Sequence, residues 1–234
     1  MLAIYKRELN AYFTTPIGYI FCAVFLALSG AVFSYTTLFS MTANVTTYFT
    51  VMLVFLVVLV PLLTMKLFSE ERKQRTEQLL LTAPVSLYGM VGGKFLAAYT
   101  LFAGCTLLSF CSFFLLYFYA HVNTAMLFGN LVALLLLGMT FITIGIFVSA
   151  LTENQLAAAV GTVGILLVLV LISLLNSLIP VYWIRFVLSS ISVFSRFQNF
   201  TQGVFDIAAL IYYLSVSLAF LYLTVRVFDK RRGG

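Results

Sequence analysis

Six long stretches of the chain carry almost no charge, and they limit its fold more than any other feature. In the 234-residue sequence they cover about residues 17–39, 48–65, 95–119, 126–150, 156–179 and 207–226. A run of roughly 20 apolar residues is long enough to cross the hydrocarbon core of a bilayer as an α-helix. Only 9% of the residues are charged, whereas soluble domains average about 25%. We therefore predict an all-α integral membrane protein with six transmembrane helices.

The first 15 residues differ from the runs that follow. Leu2, Tyr5 and Leu9 recur at helical spacing, and charged residues lie between them. A helix with one apolar and one charged face is typical of a segment that lies in the membrane interface. We predict an interfacial helix over residues 1–15, ended by Pro16.

The basic residues fall unevenly on the two sides of the predicted membrane. Six spans place both termini on one side, and Arg185 and Arg196 are the only basic residues expected on the other. The remaining 11 of the 13 are Lys6, Arg7, Lys66, Arg72, Lys73, Arg75, Lys94, Arg226, Lys230, Arg231 and Arg232. Because Lys and Arg concentrate in cytoplasmic loops, we expect both termini in the cytoplasm.

Several functional classes need residues that the sequence does not supply. The middle of each span lacks Asp, Glu, Lys, Arg and His, which disfavours ion-coupled transport and intramembrane proteolysis. Gly93-Lys94 lacks the preceding glycine and following Ser or Thr of an ATP-binding Walker motif. The three cysteines lie in apolar runs without metal-ligand spacing. We expect no catalytic residue, metal site, bound cofactor or nucleic-acid partner, so energy must enter through another subunit.

The most charged segment is the loop at residues 66–94. Residues 69–78 are predicted to be helical, with Glu71 and Arg75 paired at i, i+4. Pro84 stops this helix, and Ser86 is placed to cap a second short one. The loop is either a solvated segment that only sets topology or a docking element for a cytoplasmic partner.

This loop also carries a family resemblance. Its pattern E-x-R-x-x-x-T-E-x-L-L-x-x-P-V-S, followed by G-K-F, is formed by Glu70, Arg72, Thr76, Glu77, Leu79, Leu80, Pro84, Val85, Ser86, Gly93, Lys94 and Phe95. With the amphipathic N-terminus and six spans, it resembles the permeases of ABC-2 type ATP-binding-cassette transporters. The chain is most similar to the short permeases of the gliding-motility and copper-processing kind. The resemblance covers essentially all of residues 1–234 as one domain, and it departs at Arg75, where the family often has glycine.

The resemblance implies a mechanism and a set of partners. Two permeases pair around a path lined by spans two and five, and each docks on a cytoplasmic ATPase that binds ATP and Mg²⁺. The loop at 66–94 would insert a coupling helix into that ATPase, and the turn after span four would make a smaller contact. The implied coupling residues are Glu70, Glu71, Arg72, Arg75, Thr76, Glu77, Pro84, Ser86, Glu153 and Asn154. The setting implied is a bacterial inner membrane, and an auxiliary membrane or periplasmic subunit fits the same scheme.

The segment at residues 180–206, before the last span, corresponds to short re-entrant outer helices in the family. Trp183, Arg185, Arg196 and Asp206 lie in it. Two interpretations are open. These residues lie in solvent or among lipid headgroups and contribute little, or the segment folds back into the outer leaflet as a gate.

Three functions fit the sequence, and the first is favoured. A transport permease, which the resemblance implies is an exporter, moves cargo with ATP hydrolysed by the partner. A non-transporting membrane subunit would instead transmit mechanical work to a membrane or periplasmic partner through the same loop. A haem-exporter-type subunit is the third, although a single Trp and a single His offer little to hold haem.

Overall fold

A computed structural model of the chain describes residues 1–40, 45–76, 86–119, 123–178, 192–201 and 206–232. Every regular element in these ranges is a helix. In chain order they are α1 (Leu2–Thr14), α2 (Pro16–Phe33, continued by a π-helical segment at Ser34–Phe39), α3 (Val45–Thr64), α4 (Ser69–Lys73), α5 (Leu87–Tyr119), α6 (Thr124–Leu151), α7 (Gln155–Leu178), α8 (Val193–Thr201) and α9 (Ile207–Arg232).

Six of these helices are long and apolar enough to cross a membrane: α2, α3, α5, α6, α7 and α9. The predicted number of spans is therefore confirmed. Two ends differ from the prediction, because α5 begins at Leu87 rather than Phe95 and α9 continues to Arg232. Both extensions carry basic residues beyond the apolar run, which hydropathy alone does not recognise as helix.

The interfacial helix is present as predicted. α1 ends at Thr14, and Thr15 has extended dihedral angles (φ −96°, ψ 153°). Pro16 follows in the first turn of α2, where its missing N–H leaves no hydrogen bond unmade. Tyr12 is buried, and its hydroxyl donates to the carbonyl of Leu63 at 3.0 Å. α1 is thus bound to the end of α3.

The centre of the bundle is α6, the most buried of the six long helices. It packs against α3, α5, α7, α8 and α9. Small residues permit this crowding: a methyl group at Gly145 would overlap the side chain of Thr64 on α3. The hydroxyls of Thr140 and Ser217 are 3.3 Å apart and join α6 to α9. Any of these five helices that moves must therefore move against α6.

The bundle has two chemically different ends. One end holds α1, α4, the turn between α6 and α7, and the last turn of α9; we call it the termini end. Contacts such as Phe68 with Phe228, whose ring centroids are 4.7 Å apart, join these parts. The other end holds the starts of α3, α6 and α9, and we call it the distal end. Thr46 and Thr201 meet there, with a 3.4 Å hydrogen bond from the Thr46 hydroxyl.

α8 is a short helix that enters the bundle from the distal end. Its last residue contacts the start of α3, and its first residue, Val193, accepts a 2.6 Å hydrogen bond from the hydroxyl of Tyr213 on α9. Phe194 packs on Phe141, which lies about halfway along α6. A helix of nine residues, about 13 Å long, thus reaches toward the middle of the bundle, as a re-entrant helix does.

Candidate functional site at the termini end

The predicted helix at residues 69–78 is shorter than expected. α4 ends at Lys73, and Arg75 adopts φ = 57°, a left-handed conformation that favours glycine. The chain then turns back so that the backbone N–H of Thr76 donates to the carbonyl of Glu71 at 2.9 Å. The predicted Glu71–Arg75 pair was therefore wrong, because the helical spacing it needs ends two residues earlier.

Glu71 instead belongs to a compact group of charges, which we call the ion cluster: Arg7, Glu8, Glu71 and Lys94. One oxygen of Glu71 lies 2.9 Å from Arg7 and 2.8 Å from Lys94. An oxygen of Glu8 lies 2.6 Å from Arg7 and 3.1 Å from Lys94. The two positive and two negative charges balance, and they join α1, α4 and α5.

Lys94 is the centre of the ion cluster. Its side chain is 1% exposed, and its ammonium also donates to the carbonyl of Leu67 at 2.7 Å. It lies 5.0 Å above the centre of the Phe68 ring. A buried ammonium is stable only when its donors are satisfied, and here three acceptors and an aromatic face surround it. Removing Lys94 would leave the carboxylates of Glu8 and Glu71 close together, with Arg7 as the one remaining cation of the ion cluster.

α1 also packs closely on the first turns of α5. A methyl group at Gly93 would lie 3.1 Å from Ile4 and 3.2 Å from the carbonyl of Met1. Glycine at this position lets the two helix backbones approach and brings Glu8 within reach of Lys94. Because its phenol is fully buried, the pKa of Tyr12 is raised, so its hydroxyl remains a donor to α3 at physiological pH.

The start of α4 is capped by a residue from a distant helix. Ser149 on α6 is fully buried, and its hydroxyl accepts hydrogen bonds from the backbone N–H groups of Phe68 (3.1 Å) and Ser69 (3.2 Å). The same hydroxyl donates to the carbonyl of Met65 at 3.1 Å. The first N–H groups of a helix lack partners within it, and Ser149 supplies one from α6. α4 is therefore fixed to the central helix.

Two predicted coupling residues from different loops meet beside α4. Arg72 and Glu153 form an ion pair at 2.8 Å, so the turn after α6 lies next to α4. Arg72 also donates to the carbonyl of Leu151, and Arg231 donates to that of Ala150. These guanidinium groups satisfy carbonyls at the C-terminus of α6, where basic groups are stabilising.

The surface of this region is exposed and polar, with two basic residues and one acidic residue. Lys73, Gln74, Arg75, Glu153 and Asn154 form what we call the loop face, and all are exposed. Asn154 also caps α7, accepting from the N–H of Leu156 at 2.9 Å.

The other predicted coupling residues have local roles. Glu70 lies 3.8 Å from Lys66. Ser86 accepts from the N–H of Gly89 at 3.2 Å, so it caps a helix as predicted. That helix is α5 itself rather than a separate short one. Glu77 and Pro84 lie outside the described residues.

The predicted gate residues are only partly described, since Trp183 and Arg185 fall outside those ranges. Asp206 caps α9, accepting from the N–H groups of Ala208 (2.9 Å) and Ala209 (3.3 Å). Arg196 lies on α8, with its guanidinium carbon 4.4 Å from the centre of the Tyr212 ring. The structure gives each charge its own contact and does not bring the two together.

Four residues that hold α4 in place were not among the predicted coupling residues: Arg7, Glu8, Lys94 and Ser149. Arg7 and Glu8 counted only among the charged residues of the N-terminal helix and, for Arg7, in the uneven split of basic residues. Lys94 counted only in that split, the rejected Walker pattern and the family motif. Ser149 stands among apolar residues at the end of a span, where a small polar residue carries little signal. Only the contacts between distant segments reveal their role.

At the distal end a cleft of about 380 Å³ opens between α3, α7 and α8. Its lining is mostly apolar with a few hydroxyls, contributed by Thr46, Thr50, Leu53, Val54, Val170, Ser173, Leu174, Phe194, Phe197 and Thr201. Two of the contributing helices, α3 and α7, are the second and fifth spans.

Comparison with known proteins agrees with this architecture. A comparison with curated proteins found no match. The family model described as "ABC-2 family transporter protein" matches residues 21–232, which include most of the first span, the other five spans, α4 and the turn at Glu153. The match covers far more than half of the chain, so this multi-pass membrane protein is a member of the ABC-2 family of transporter proteins, the permease subunit of an ABC transporter.

Proposed function

We propose that the chain is the permease of an exporter driven by a separate cytoplasmic ATPase that docks at the termini end. The observation that carries this proposal is the way α4 is held. Buried polar contacts bind it to α1 and α5 through the ion cluster and to α6 through Ser149. A force on α4 would therefore reach the bundle directly rather than be lost in a mobile loop.

The loop face is the surface that we propose the ATPase contacts. Glu71 was predicted as a docking residue, but its carboxylate is only 18% exposed and is turned toward Arg7 and Lys94. We therefore assign docking to the exposed residues Lys73, Gln74, Arg75 and Glu153. Glu71 would hold α4 in place behind them. ATP and Mg²⁺ would be bound by the ATPase.

The distal cleft supports transport over a purely mechanical role. A subunit that only transmits force needs no space for cargo, whereas this chain has a cleft of about 380 Å³ between the spans expected to line a path. The described residues of its lining are mostly apolar and include no acidic or basic side chain, which suits an apolar or amphiphilic molecule.

We also propose that two permeases pair. α7 leaves most of its apolar side chains uncovered by its own chain; Leu156 and Val160 are 72% and 71% exposed.

The docking proposal is tested by charge reversal on the loop face. Lys73→Glu with Arg75→Glu should reduce co-purification of the ATPase with the detergent-solubilised permease about tenfold, since several charge-assisted contacts would be lost. The matched control reverses Lys230 and Arg232, which are also exposed at this end but lie outside the loop face. Equal ATPase recovery from both double variants would refute docking at this surface.

The orientation is tested with single cysteines at Gln74 and Asn123, in a chain whose native cysteines are replaced. Both positions are exposed, at the termini end and the distal end respectively. A membrane-impermeant thiol reagent should label position 123 in intact cells and position 74 only after the cells are opened. The reverse pattern would place the termini outside.

A further inference from the structure

Arg196 occupies an unusual place for a charged residue. It lies on α8 inside the distal half of the bundle, against Tyr212 in the second turn of α9. Tyr212 follows Ile207, the first residue of α9, by five positions, which is about 8 Å along a helix. A charged group at such depth in a membrane is costly, and it usually finds an opposite charge.

No such charge is provided by the described part of the chain. Arg196 forms no ion pair there, and its Nε donor is buried without a hydrogen-bond acceptor. The seven acidic residues include only Asp206 between positions 154 and 228, and its carboxylate caps α9. The segments that the structure leaves undescribed at this end contain no Asp or Glu at all.

The guanidinium is nonetheless held in place. Its carbon lies 4.4 Å from the centre of the Tyr212 ring, and its two terminal nitrogens, unlike Nε, are not among the buried atoms without a partner. The adjacent surface of α9 is apolar and uncovered, with Ile207 and Ile211 65% and 60% exposed one turn apart. A fixed guanidinium beside an exposed apolar strip matches a molecule with an anionic head and an apolar tail.

We propose that Arg196 and Tyr212 form a binding site for the anionic headgroup of a membrane amphiphile, with its apolar tail along Ile207 and Ile211. A phosphate or carboxylate would accept hydrogen bonds from the terminal N–H groups of the guanidinium, beyond the buried Nε, and guanidinium groups bind both anions in bidentate geometry. Arg196 contacts Tyr212 and is not among the described residues that line the distal cleft, so this site is separate from the cleft. The inference does not depend on transport or on ATPase docking.

The test measures lipid binding to the purified permease in detergent by native mass spectrometry. The probes are phosphatidylglycerol, phosphatidylcholine and inorganic phosphate. Wild-type protein should bind phosphatidylglycerol in preference to phosphatidylcholine. Arg196→Gln should weaken phosphatidylglycerol binding at least about tenfold, as expected for the loss of charge-assisted hydrogen bonds, and Arg196→Lys should restore part of it.

The matched control is Arg226→Gln, which removes an arginine that also lies over a tyrosine of α9, Tyr222, but near the termini end. It should leave the Arg196-dependent binding unchanged. If Arg196→Gln fails to fold, Tyr212→Leu serves instead and should weaken binding by removing the stacking partner. Equal phosphatidylglycerol binding in wild type, Arg196→Gln and Tyr212→Leu would overturn the proposal, as would inorganic phosphate binding as tightly as the lipid.

Discussion

The two ends of the bundle differ in how their charged side chains are paired. At the termini end, Lys94 is buried with two carboxylates and a carbonyl around it, and α4 is capped by a serine from α6. At the distal end, Arg196 has an aromatic ring but no ion pair within the described ranges. The buried charges at the termini end are paired within the protein, whereas the distal end has a cleft and a cation that forms no ion pair within the described ranges.

This difference teaches where rigidity and openness are needed. If the ATPase docks at the termini end, as we propose, that end must transmit force without deforming, and its internally paired charges and buried hydrogen bonds suit this role. A region that admits or releases a molecule needs free volume and unsatisfied binding groups. The predictions below remove or add contacts at the termini end, where the comparison predicts the larger effects.

The largest effect is expected from Lys94→Met. The substitution leaves Glu8 and Glu71 close together and partly buried, with only the half-exposed Arg7 to compensate both carboxylates, and breaking a buried ion pair costs about 3–5 kcal/mol. The melting temperature in detergent should fall steeply, and α1 should become accessible to protease. Lys66→Met, which removes an exposed pair with Glu70 at 3.8 Å, should cost less than about 1 kcal/mol. Similar decreases in melting temperature in Lys94→Met and Lys66→Met would show that the ion cluster stabilises the protein no more than an exposed ion pair does.

Ser149→Ala should have the next largest effect. It leaves two buried N–H groups of the α4 region without an acceptor, at a cost of about 1–3 kcal/mol. Stimulation of the partner ATPase should fall even when the protein remains folded, because α4 would no longer be fixed to α6. Ser215→Ala on the exposed side of α9 is the control. Unchanged ATPase stimulation in Ser149→Ala would show that the hydrogen bonds between Ser149 and the start of α4 are not needed for coupling.

Arg75→Gly tests the turn after α4 with a substitution that should stabilise the protein, whereas the two substitutions above should destabilise it. Glycine adopts the left-handed conformation without steric cost, so the substitution should stabilise the folded state by about 1 kcal/mol. Hydrogen exchange at the N–H of Thr76 should slow accordingly. Arg75→Ala removes the same side chain without relieving the strain and should not stabilise the protein. Equal melting temperatures for the two variants would mean that the positive φ carries no strain.

The smallest effect is expected from the exposed pair of Arg72 and Glu153. A double-mutant cycle with Arg72→Ala and Glu153→Ala should give a coupling free energy of about 0.2–1 kcal/mol for unfolding. A much larger coupling free energy would show that this exposed pair contributes to stability as strongly as the buried charges of the ion cluster.

Much of the architecture followed from the sequence. The six spans, the interfacial helix and the helix cap at Ser86 depend on local patterns: apolar runs of sufficient length, helical periodicity and a capping serine. The family followed from the motif between Glu70 and Phe95 together with the spans, and the family model covering residues 21–232 confirms it. Each of these signals lies within a short segment, and local physics is enough to produce it.

The tertiary structure decided which charges meet. Glu71 lies near Arg75 in the sequence but pairs with Arg7 and Lys94, because α4 ends early and α1 packs across the glycines of α5. Ser149 became important only when the fold brought it to α4 from 80 positions away. Long-range pairing depends on how whole helices pack. A sequence pattern determines that a helix forms and which of its faces is apolar, but only packing determines which partner a charged side chain finds.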